Sequence, residues 1–142
     1  MPLSICICSL LILIYPVITD IKKREIPLWF FPIMYTLIYG VMFFYLKMNR
    51  KEVLYSIVWM LILLAFGIIQ AYFFGLGGAD ALLFGFLGIL YKEESLIIVL
   101  GGFLLTLPYL LIRKKTKEYA FFPYIWVSNF IYIFIKGVGI FA

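Results

Sequence analysis

Residues 53–91 read VLYSIVWMLILLAFGIIQAYFFGLGGADALLFGFLGILY and contain one charged side chain, Asp80. A membrane span takes roughly 20 apolar residues. The run is too long for one span and about long enough for two. It must turn within itself, and Gly75-Leu76-Gly77-Gly78 is the breaker that its composition supplies. Almost nothing is left for a loop outside the membrane. From Asp80 to Tyr91 a helix covers only about 18 Å at 1.5 Å per residue, against a hydrocarbon core of about 30 Å. Asp80 is therefore expected below the membrane surface, at the start of a helix.

The same reading extends outward. Apolar runs at roughly 2–19, 27–46, 96–112 and 120–141 alternate with short charged clusters. With the two from 53–91, this predicts an all-α membrane protein. It would be a bundle of about six transmembrane helices forming a single domain over 1–142. Composition agrees: 66% of the chain is hydrophobic, 13% is charged, and mean hydropathy is +1.14. Soluble domains carry about a quarter of their residues as charges. The N-terminal run has no basic flank and no small-residue cleavage site before Asp20, so it reads as a retained span.

Loop charge sets the expected orientation. Lys22, Lys23, Arg24, Arg113, Lys114, Lys115 and Lys117 follow the odd spans; Lys47, Arg50, Lys51 and Lys92 follow the even ones. Basic loops stay cytoplasmic, which places both termini outside in a multi-pass plasma-membrane protein. The formal charge of +5 is then a topology signal rather than a nucleic-acid footprint. There is no histidine, which removes the usual base of Ser–His and Cys–His nucleophile systems and a common metal ligand. Cys6 and Cys8 alone are too few for a zinc site and read as small apolar residues. No metal and no cofactor is expected.

Parity gives Asp80 a partner. Asp20 follows one span and Asp80 follows three, so both carboxylates are expected at the same, cytoplasmic, face. A carboxylate within a membrane is costly and marks function by default. Two of them can form an aspartic dyad that shares a proton, one acting as base and one as acid. The base takes a proton from water as it attacks a peptide carbonyl; the acid polarises that carbonyl and helps protonate the leaving amine. Plainer readings exist for each residue alone. Asp20 would be a solvated loop acid beside Lys22 and Lys23, and Asp80 a helix N-cap. Gly77 and Gly78 would then be turn residues.

These residues resemble those of a known family. Asp20-Ile-Lys-Lys-Arg-Glu-Ile26-Pro27 looks like the first active-site motif of the type IV prepilin peptidases, and Gly77-Gly78-Ala79-Asp80 like the second, in the form taken by archaeal preflagellin peptidases. Ala120-Phe-Phe-Pro123-Tyr-Ile is similar to the proline-containing segment that opens the family's last helix. Leu28, Leu82 and Ala120 depart from residues common in bacterial members. No connection between runs has room for a methyl-donor domain. The resemblance implies a membrane aspartic endopeptidase with Asp20 and Asp80 as catalytic residues. Gly77, Gly78, Ala79, Pro27 and Pro123 would support them. Its partners would be prepilin-like or preflagellin-like substrates with short basic leaders, cleaved at the cytoplasmic face without metal or cofactor.

Other readings remain open at this stage. A presenilin-type peptidase fits less well, because Thr19 precedes Asp20 and the late segment is Phe-Phe-Pro-Tyr. A small ion- or proton-coupled transporter would place Asp80 at a broken helix, supplemented by Gln70, Thr106 and Asn129. A non-enzymatic membrane subunit is a third possibility.

Overall fold

The computed structural model describes residues 2–23, 26–74, 78–112 and 121–139. Among them all regular structure is helical: α1 (Leu3–Ile12), α2 (Ile14–Lys23), α3 (Phe30–Gly40), α4 (Arg50–Phe74), α5 (Gly78–Tyr91), α6 (Ser95–Ile112) and α7 (Phe122–Gly137). α3 continues into a π-helical turn, Val41–Tyr45, and a short 3₁₀ segment, Lys92–Glu94, links α5 to α6. The helices coincide with the apolar runs. Two stretches, Leu3–Lys23 with mean hydropathy 2.2 and Arg50–Phe73 with 2.3, are long and apolar enough to cross a membrane. Only 33% and 22% of them is buried, whereas the core helix of a soluble protein would be mostly covered. Their exposed faces carry large apolar residues such as Leu11, Leu54, Leu61 and Ile69, which supports membrane association.

The chain divides into two compact units, Met1–Ile26 with Leu96–Ala142, and Pro27–Ser95. In the first, α7 packs on both α1 and α2. The Trp126 indole N–H donates to the Leu10 carbonyl at 2.9 Å, and the Ser128 hydroxyl donates to the Ile98 carbonyl of α6 at 2.7 Å. α1 and α2 are one apolar run broken by a turn at Leu13. Pro16 explains the break: it offers no N–H to the Ile12 carbonyl four residues back, and its ring crowds that carbonyl. Pro123 lies in the first turn of α7, where its missing N–H would have had no helical partner.

The second unit is built around α5. Every residue of α5 from Asp80 to Tyr91 is buried except Leu82, so this helix is apolar all round rather than amphipathic. It runs antiparallel to α4. A Cβ on Gly67 would stand 2.6 Å from the Ala81 Cα, and one on Gly88 would stand 2.7 Å from the Trp59 carbonyl oxygen. These glycines bring the two backbones together at both ends of the contact. On α3, the Tyr35 hydroxyl donates to the Leu82 carbonyl at 2.5 Å, and its ring stacks on Phe86 with centroids 6.1 Å apart. α4 starts with one half of a capping box: the Asn49 N–H donates to the Glu52 carboxylate at 3.2 Å, while the Val53 N–H makes the first helical bond to the Asn49 carbonyl.

Candidate functional site

Asp20 lies in the last turn of α2, three residues before the helix ends at Lys23. The sequence placed it just beyond the span; the structure carries the helix through it. Lysine is a good helix former, and Lys22 and Lys23 oppose the negative end of the helix dipole, so the charges that mark the membrane boundary do not stop the helix. Asp20 and Pro16 form the buried stripe of α2, one turn apart, while Ile21, Lys22 and Lys23 are exposed. Asp20 is 7% exposed. A solvated loop acid would be open to water, so that reading does not hold for it.

Asp80 is the third residue of α5 and is 8% exposed. The helix start expected from span counting is present, and Gly78 opens it. An acid in the first turn is favoured by the helix dipole. Ala79 is half-buried beside it. Gly78 is exposed, and among the described residues a Cβ on it would meet nothing within 4 Å. Gly77 lies outside the described residues. Pro27 and Pro123 are both half-buried; Pro27 begins the second unit, and Pro123 sits on α7, the helix on which α2 packs.

The two aspartates stand apart from the other described acids. Glu52 and Glu93 are exposed and Glu94 is half-buried; Asp20 and Asp80 are buried. Glu52 caps α4, and Glu93 accepts from the Tyr55 hydroxyl at 3.1 Å. Asp20 belongs to the first unit and Asp80 to the second. Among the described residues, each unit thus holds one buried carboxylate, at a helix end. Among the described residues no group of three or more His, Cys, Asp or Glu side chains is placed to hold a metal ion.

Tyr35 went unnoticed in the sequence. Its hydroxyl ties α3 to the second turn of the Asp80 helix, and nothing in its local pattern separates it from the other ten tyrosines of the chain. Asn129 appeared in the sequence only as a possible supplement to a transport site. It is fully buried on α7, and neither polar atom of its amide has a hydrogen-bond partner among the described residues.

Comparison with protein-family models, with curated proteins and with solved structures finds no match to this chain.

Proposed function

We propose that the protein is a membrane-embedded aspartic endopeptidase that removes short leaders from prepilin-like or preflagellin-like precursors. The observation that carries the reading is the burial of Asp20 and Asp80, each at the end of an apolar helix. An ionisable side chain within a membrane is costly and by default marks function. The ordered motifs around Asp20, Asp80 and Pro123 support it as well.

In this proposal six helical spans put both termini outside and both aspartates at the cytoplasmic face. One aspartate is the base for the attacking water, and the other protonates the leaving amine. Gly78 is exposed and carries no side chain, which suits the approach of an extended substrate backbone beside Asp80.

The test is cleavage of a pilin-like precursor in membranes. Asp20→Asn and Asp80→Asn, each still inserted, are expected to leave the precursor whole. Full cleavage by either variant would end the dyad reading. Ion-dependent solute uptake lost in Asp80→Asn, with no cleavage by the unaltered protein, would establish a transporter instead.

A further inference from the structure

We propose that the second unit is built for a membrane whose apolar layer is about 25 Å thick, and that it draws a thicker bilayer in around it. The inference rests on the multi-pass membrane reading and not on peptidase activity. Its helices are short. α5 has 14 residues, about 21 Å at 1.5 Å each. α3 with its π-helical turn covers Phe30–Tyr45, about 24 Å at that rise. A typical hydrocarbon core is about 30 Å thick. In the first unit α7, with 16 residues, has the same reach of about 24 Å.

Exposed aromatic residues mark both ends of this unit. Trp and Tyr gather at headgroup level on the two sides of a membrane. On α3 the exposed pair is Trp29 and Tyr45, about 24 Å apart along the helix. On α4 it is Tyr55 and Tyr72, about 26 Å apart. The Tyr39 hydroxyl donates to the Met60 sulfur at 3.6 Å, and the Ser56 hydroxyl to the Met42 sulfur at 4.0 Å. These contacts set α3 antiparallel to α4, so Tyr45 lies toward the Tyr55 end and Trp29 toward the Tyr72 end. Two helices thus give one width. Between the rings the exposed side chains of both helices are apolar, apart from Thr36. Its hydroxyl donates to the Pro32 carbonyl at 2.8 Å and needs no water. Tilting would shorten the reach of these helices further, whereas a bilayer thins to meet a short apolar segment. The Trp29–Tyr72 end is also the Asp80 end, because Ala81 stands against Gly67 of α4. A layer drawn in to the rings ends about 6 Å from Asp80, one turn along α4.

The full chain would be reconstituted in vesicles of dipalmitoleoyl-, dioleoyl- or dierucoylphosphatidylcholine, in order of increasing thickness. Brominated forms of each lipid quench the tryptophans, so competition with the plain lipid reads relative affinity. Unaltered protein is expected to bind the dipalmitoleoyl lipid about threefold tighter than the dierucoyl lipid, with its optimum on the thin side of dioleoyl. Trp29→Leu combined with Tyr72→Leu removes the rings at the Asp80 end and should move the optimum to a thicker lipid. A flat profile, or an optimum at dioleoyl or dierucoyl lipid, overturns the proposal while leaving the membrane reading in place. An optimum that the leucine pair does not move overturns it as well. Failure to enter any of the three bilayers overturns the membrane reading and this inference with it. If the leucine variant does not insert, the profile of the unaltered protein decides.

Discussion

Gly67 of α4 lies so close to Ala81 of α5 that a Cβ on the glycine would come within 2.6 Å of the Ala81 Cα. The contact adjoins Asp80 in sequence, so the close approach of α4 sets where that carboxylate stands in its unit. Gly67→Ala forces two backbones apart and is expected to cost about 1–3 kcal/mol, the usual penalty of overpacking. Gly40→Ala, in a helix where the new methyl meets nothing within 4 Å, should instead gain about 0.5–1 kcal/mol from reduced chain entropy. Reversible unfolding in mixed micelles measures both. Equal effects at the two sites would show that the α4–α5 contact does not constrain the fold.

Tyr35 anchors α5 from the other side through its bond to the Leu82 carbonyl. Tyr35→Phe keeps the ring that stacks on Phe86 and removes only the hydroxyl. A loss of about 1 kcal/mol is expected, with faster hydrogen exchange confined to the first turns of α5. Unchanged protection of those amides would show that the bond does not hold the helix start.

The buried amide of Asn129 has no hydrogen-bond partner among the described residues. Asn129→Leu is expected to raise stability by about 1 kcal/mol, because an unsatisfied polar group no longer has to be desolvated. Precursor cleavage should be unaffected. A variant that unfolds more easily would show that the amide makes a contact worth more than its desolvation.

Orientation is tested by labelling. In a background with Cys6→Ala and Cys8→Ala, single cysteines replace Lys22 or Lys51. An impermeant maleimide added outside intact cells is expected to label position 51 and spare position 22. The reverse pattern would turn the protein over and move the proposed site to the outer face.

Much of this arrangement is legible in the sequence, and the reasons are physical. The 53–91 run could not be one span, and the resulting break put Asp80 in the first turn of a helix, where it stands. The runs at 27–46 and 96–112 end where charges begin, and α3 with its π-helical turn and α6 follow them closely. The run at 2–19 is different. Hydropathy marks where lipid ends, but a helix ends where its hydrogen bonds do, so α2 continues through Asp20 to Lys23. The turn at Leu13 had a visible cause in Pro16 that hydropathy alone passes over. The all-round burial of α5 and the Tyr35–Leu82 bond depend on packing between segments far apart in sequence, for which local pattern carries no signal.

The central claim is that Asp20 and Asp80 act as one catalytic pair, and the most direct measurement is a double-mutant comparison of kcat/KM for precursor cleavage. Residues of one catalytic unit are strongly non-additive. Asp20→Asn and Asp80→Asn are each expected to lower kcat/KM by roughly 10⁴-fold, and the double variant to fall no further. Losses that multiply in the double variant, or near-normal cleavage by either single variant, would contradict the account.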